Sequence, residues 1–252
     1  MKGEGPENQE ERYLHALEQC VGDLLRQTGR WFTFTQGDGV RVEHIGAHVQ
    51  EFIHFVHAFP RWIAALLSRT PYYEVRRFLA QNLYEEVVED PVAGAPHYEF
   101  MFRLGEGAGL SREEIENSRP TATLPLLHAL ENFYRERPWI EVFASTSVGE
   151  ATNQATLNPE LRRRYGLPER TRLETFRRLG LSDYHLTQYL VHSEVDAKHG
   201  GEGLRLAAKY AAFERYPLER LLAGVREYTI LIRAYWDAMY EAVTARVERK
   251  NS

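Results

Sequence analysis

Of the 252 residues only one, Cys20, is a cysteine. A single thiol allows no intrachain disulfide and no zinc site of the multi-cysteine kind, so any metal must be held by histidine, aspartate and glutamate. Basic charge is also short: 31 Lys and Arg against 36 Asp and Glu leave a formal net charge of −5. With no cationic surplus to neutralise nucleic-acid phosphates or anionic lipid, neither partner is expected. Long apolar runs are missing. Nothing approaches the roughly 20 residues that cross a bilayer. The N-terminus, MKGEGPENQEER, is too acidic and polar for a secretory signal, and the expectation is a cytoplasmic protein. Stretches of alternating β-branched residues are absent too, which removes the usual signature of half-buried strands.

What remains is helical periodicity, and the chain reads as all-α. Residues 9–29 form a first amphipathic helix ended by Gly29, followed by a loop, WFTFTQGDG, whose aromatics fold back on the core. Residues 42–69 make one long segment with Pro60 inside, where a missing backbone donor should kink it. PYYEVRRFLAQNLYEEVVED starts at Pro71 and stops before the breaker-rich PVAGAP; helix resumes near Pro96, and Ser111 with Glu114 has the spacing of a capping box. Two helices, 121–135 and 139–157, precede an arginine-rich linker of short turns. A long helix from Ser182 or Asp183 to about Phe213 should be weakened by Gly200, Gly201 and Gly203, and Pro217 opens the last one. Residues 1–12 read as a disordered segment and 13–252 as a single domain, without internal repeats.

The stretch HSEVDAKH carries the most chemistry. On a helix each residue advances about 100°, so His192, Asp196 and His199 fall within about 60° of one another. Glu86, in NLYEEVVED, sits on a helix otherwise packed through Leu79, Leu83 and Val87; His97 follows PVAGAP; Glu150 is the only ionisable residue between Glu141 and Glu160. A carboxylate buried among Ala, Ser, Thr, Val and Asn needs a cation or a proton. Taken singly, each has an ordinary alternative. HSEVDAKH could be a solvated face, YEEVVED is an acidic run of the kind that faces water, and His97 could simply start a helix. Together, on separate helices, they have the composition of a di-iron or di-manganese centre: oxygen and imidazole donors without thiolate. His54 and His57, beside Phe55 and Phe59, read as interior packing. The triple arginine Arg162–Arg164 reads first as solvated linker and second as a receptor for a carboxylate.

The ordered set NLYEE, His97, Glu150 and HSEVDAKH resembles the haem-oxygenase-like di-iron oxidases, relatives of the thiaminase II (TenA) and PQQ-synthase C (PqqC) folds. The resemblance covers roughly residues 30 to 212. It implies a single-domain, haem-free bundle of about seven helices in which Glu86, His97, Glu150, His192, Asp196 and His199 hold two Fe(II), or a Mn/Fe pair, that activate O2. The substrate implied is a small metabolite bearing a carboxylate, an amino acid or a fatty acid, and homodimers are common for the fold. Tyr98, Asn153, Gln188, Tyr189 and His57 are candidates for the shell around the ligands. Two departures bear on this. The gap from Glu86 to His97 is eleven residues because PVAGAP is inserted, so Glu89 and Asp90 compete with Glu86. HAFPRWIAALLSR resembles a helix of members that make 4-aminobenzoate, but Phe32 and Glu160 stand where those carry a sacrificial tyrosine and a lysine. The rivals are a metal-free enzyme of the TenA or PqqC kind and a helical partner-binding protein. Cys20, far upstream, does not match the cysteine of thiaminase II, and Glu86, Glu150 and Asp196 would repel one another without a cation.

Overall fold

The computed structural model describes residues 6–27, 29–167, 170–194 and 196–250, with the backbone alone for 6–8, 159, 192–194, 196–199 and 250. Among the described residues every regular element is a helix, and the one sheet-like contact is an isolated bridge between Asp90 and Ala95. Helix α1 (Pro6–Arg26) buries Leu17, Val21 and Leu25 and begins inside the 1–12 stretch expected to be disordered. A helix anchored by buried Tyr13 and Leu17 grows N-terminally by one hydrogen bond per residue, so the polar start is recruited. Residues expected to form a loop make a short helix, α2 (Arg30–Thr35), because Trp31 is buried with its ring stacked 4.7 Å from that of His48.

Helix α3 (Val42–Arg69) runs through Pro60 as one element. It packs against α4 (Tyr73–Val87) and α5 (His97–Gly107), and α6 (Arg112–Glu116) starts with the Ser111–Glu114 capping box read from the sequence. Then follow α7 (Leu124–Glu136), α8 (Trp139–Leu157), α9 (Pro159–Arg164) and α10 (Arg172–Arg178). Helices α11 (Thr187–Glu194) and α12 (Asp196–Phe213) both fall within the expected 183–213 helix, the residue between them, Val195, lying outside the described residues, and α13 (Leu218–Lys250) closes the bundle. Thirteen helices among the described residues replace the expected seven or so. The long ones form the bundle, and α2, α6, α9 and α10, each of five to seven residues, are connections that close a helical turn.

Helix α8 occupies the centre, with α1, α12 and α13 packed around it. It is buried almost all round, as a helix without a polar face must be. Its hydroxyls are satisfied within the helix: Ser145, Thr146, Ser147 and Thr152 each donate to the carbonyl four residues back. The small residues let α12 come close. A Cβ on Gly200 would lie 2.8 Å from the Ala151 Cα, and one on Gly203 would lie 2.6 Å from the Ser147 Oγ. The glycines expected to weaken α12 are contained within it, because at 200 and 203 the absence of a side chain is what permits the contact.

Candidate metal centre

The face of α4 that turns inward carries Val75, Phe78, Leu79, Asn82 and Glu85, whereas Val87, expected on the packed face, is exposed. Glu85 is 3% exposed, and the adjacent Glu86 side chain retains 12%. After the helix ends at Val87, Asp90 organises the insertion. Its N–H donates to the Ala95 carbonyl (3.0 Å), its carbonyl accepts from Gly94 (2.9 Å), and its Oδ1 accepts from Val92 and Ala93 (2.8 and 2.9 Å). An aspartate that binds the amides two and three residues on stabilises a turn locally, and Gly94, at φ +61°, supplies the left-handed step. PVAGAP is therefore a closed loop, and it returns the chain so that α5 begins with His97 beside Glu86.

His97 is held between two carboxylates: Nδ1 lies 2.9 Å from Glu86 Oε1, and Nε2 lies 3.2 Å from Asp90 Oδ2. Burial by itself would lower the imidazole pKa, but Glu86 and Asp90 outweigh it and push it up to about 10. Asp90 is fully buried, which would raise its pKa; the hydrogen bonds from His97, Ala93 and Val92 hold it below the ordinary value instead. Glu85, Asp90 and His97 each present a ligand atom within 4.8 Å of the others. Glu89 is exposed.

Glu85, Glu86 and His97 line a cavity of about 200 Å³, and Glu150 lines it from the central helix. Burial first, and then the Glu150 carboxylate, push the Tyr228 phenol up; at Tyr134 burial again dominates and Glu150 adds to it, so both stay neutral. Aromatic rings form part of the wall: Phe52 stacks on both Phe55 and His48, and Trp236 tilts against Phe52. Burial, then Arg172, bring the His48 imidazole down to about 3, and its Nδ1 has no hydrogen-bond partner among the described residues.

Glu86, His97 and Glu150 of the expected ligands thus meet on one cavity. The side chains of His192, Asp196 and His199 lie outside the described residues; the backbone of the next residue, Gly200, abuts Ala151, directly after Glu150. Of the expected outer shell, Asn153, Gln188 and Tyr189 line the cavity. Tyr98 and His57 do not. Both are exposed and face each other edge to face, 6.2 Å apart, because this stretch of α3 turns that side toward solvent rather than inward. The arginine triplet does not reach the cavity either: Arg162 is buried but donates to the Thr156 and Arg170 carbonyls, and Arg163 and Arg164 are exposed. The cavity also holds ionisable residues that the sequence analysis did not single out, among them Glu85, His48 and Arg172. Glu85 was accessible in principle, since Asn82, Glu85 and Glu86 share a helix face at offsets of three and four. His48 and Arg172 carry no local signal.

The chain has the haem-oxygenase-like fold, an all-helical bundle, with Glu85, Asp90 and His97 as a candidate metal cluster beside its buried cavity. Solved structures share this fold. A protein of Shewanella denitrificans described as a domain of unknown function with a haem-oxygenase-like fold superposes with a TM-score of 0.67 at 15% identity, covering 95% of this chain and 96% of its own. A CADD-like protein of unknown function from Nostoc punctiforme gives 0.60 at 18%, covering 93% and 97%. A TenA homologue from Pseudomonas syringae pv. tomato gives 0.58 at 15%, covering 94% and 92%. No protein of curated function matches the sequence. The chain belongs to the iron-containing redox enzymes, whose family model matches residues 47–231.

Proposed function

We propose that the chain is a non-haem di-iron oxidoreductase that uses O2 to oxidise a small metabolite bearing a carboxylate, of the amino-acid or fatty-acid class. The observation that carries this reading is His97 buried between Glu86 and Asp90, on a cavity that Glu150 also lines. Carboxylate oxygens with imidazole and no thiolate suit iron or a Mn/Fe pair, and Cys20 does not line the cavity. Glu86, His97 and Glu150, with His192, Asp196 and His199, would hold the metals, and Glu85 is a further donor. Asp90 would orient the His97 ring through the nitrogen that does not bind metal, its other oxygen being tied to Val92 and Ala93.

Iron held by these residues would supply the electrons that reduce O2 and so the oxidising power. The chain supplies the setting. Phe52, Phe55 and Trp236 give the cavity an apolar wall, and neutral His48 and Tyr228 on the lining add no charge to compete with metal for the carboxylates. A metal-free reading is favoured by one feature, the imidazolium form of His97, which by itself neutralises part of the Glu86 and Asp90 charge. Anaerobic Fe(II) reconstitution decides between them. Stoichiometric iron, with a transient visible band on O2 exposure that decays faster with one member of an amino-acid and fatty-acid panel, is the expected result. Protein that keeps no iron after desalting overturns the proposal.

A further inference from the structure

Arg172, the first residue of α10, is 6% exposed and lines the cavity. Its Nη2 donates to Asn153 Oδ1 (3.0 Å) and Thr156 Oγ1 (3.2 Å), and the guanidinium sits between two rings, 5.0 Å from Phe32 and 5.0 Å from Tyr189. The fork is therefore held in one orientation by neutral groups. Among the described residues no carboxylate lies within ion-pair distance of it, and Nε has no hydrogen-bond partner. Tyr189 offers no negative charge, because burial keeps its phenol protonated. A buried cation without an anion is costly, and such a charge is retained where something else supplies the counter-charge.

We infer that Arg172 is the anchor for the substrate's carboxylate, and that the substrate is a monocarboxylic acid with an apolar body and no α-ammonium group. This rests on the oxidase reading of the same cavity. A planar guanidinium matches a carboxylate with paired hydrogen bonds. Arg172 is the one buried guanidinium on the lining among the described residues, since Arg233 is exposed and lies 3.9 Å from Asp237; one guanidinium balances one negative charge, and Glu85, Glu86 and Glu150 on the same cavity repel a second. Phe52, Phe55, Met101 and Ile232 accept an alkyl or arylalkyl body. An α-ammonium would lie within a few atoms of the anchored carboxylate, beside Arg172, where the neighbours are the amide of Asn153, a threonine hydroxyl and two rings and, among the described residues, no carboxylate within ion-pair distance of the guanidinium. That composition separates a fatty or arylalkanoic acid from an amino acid.

The test is calorimetric titration of metal-free protein with octanoate, octanamide and 2-aminooctanoate. Octanoate should bind about tenfold or more tightly than either of the others, since a hydrogen bond to a charged group is worth at least that factor. Arg172→Gln should remove the preference for octanoate over octanamide while binding as much Fe(II) as the parent. Should that variant not fold, Arg172→Lys, which keeps the charge but not the fork, should weaken octanoate by a similar factor. Equal binding of acid and amide, tighter binding of 2-aminooctanoate, no binding of octanoate, or an unchanged preference in a folded Arg172 variant would each overturn the assignment. Because iron content is measured separately, failure here leaves the metal proposal standing, and loss of iron in the parent protein leaves the octanoate measurement intact.

Discussion

At the scale of single residues the centre depends on how one imidazole is held. His97 has a carboxylate on each nitrogen, and the two carboxylates differ: Glu86 faces the cavity, whereas Asp90 is already bound to two amides of its own loop. Replacing His97 by Ala, or Glu86 by Gln, should lower iron per chain by half or more with the circular dichroism unchanged, and His192→Ala should do the same. Asp90→Asn keeps the acceptor for the loop amides but removes the charge behind the ring; Fe(II) affinity should fall by roughly 10–100-fold, as for other residues that orient metal-bound histidines. Iron retained at full stoichiometry in His97→Ala would show that the ring is not a ligand. His48 gives a different test. Its folded pKa, about 3, lies below the ordinary 6.5, so below pH 6.5 the unfolded chain takes up a proton that the folded chain refuses. Stability is unaffected above that pH and falls by about 1.4 kcal/mol per pH unit as pH drops toward 3. His48→Phe should lose this component, and urea unfolding at pH 7.5 and pH 5 should show the variant gaining about 2 kcal/mol on the parent between the two.

At the scale of helices and loops, the crossing of α8 and α12 sets where the HSEVDAKH backbone arrives relative to Glu150. Two neighbouring glycines there have opposite roles. A Cβ at Gly200 meets the backbone of Ala151, which cannot yield, whereas a Cβ at Gly201 meets nothing within 4 Å. Gly200→Ala should therefore destabilise the protein by about 1–3 kcal/mol through overpacking, and Gly201→Ala should stabilise it by about 0.5–1 kcal/mol through the helix propensity of alanine. Thermal unfolding of the pair checks the contact, and equal shifts would mean that α12 does not approach α8 this closely. Periodicity located the long helices, because an apolar stripe every three to four residues is a local signal. It missed α2, whose Trp31 is held by a histidine from α3, and it set the start of the 183–213 helix inside the turn that precedes α11.

At the scale of the whole molecule, metal binding and folding are one equilibrium. Donors on α4, α5 and α8 come together only when the bundle is assembled, so a metal that binds them favours the folded state. Free Fe(II) at about 100 times its dissociation constant should add about 2.7 kcal/mol, which for a chain of this size raises Tm by about 5–10 °C. An anaerobic melting curve with and without Fe(II) measures it, and Glu86→Gln should show a smaller rise. Among the described residues no helix is long and apolar enough to cross a membrane, in line with the scarcity of apolar runs. By itself the sequence determined that the chain is helical, that one cysteine can form neither an intrachain disulfide nor a multi-cysteine metal site, and which residue types a metal would use, because helical period and side-chain chemistry are properties of neighbours along the chain. Only the tertiary structure decided that Asp90 closes a loop behind His97, that Glu85 turns inward, and that Arg172, 75 residues beyond His97, reaches the same cavity. Those relations are set by which helices touch, and contact between residues far apart in the chain leaves no mark on either stretch alone.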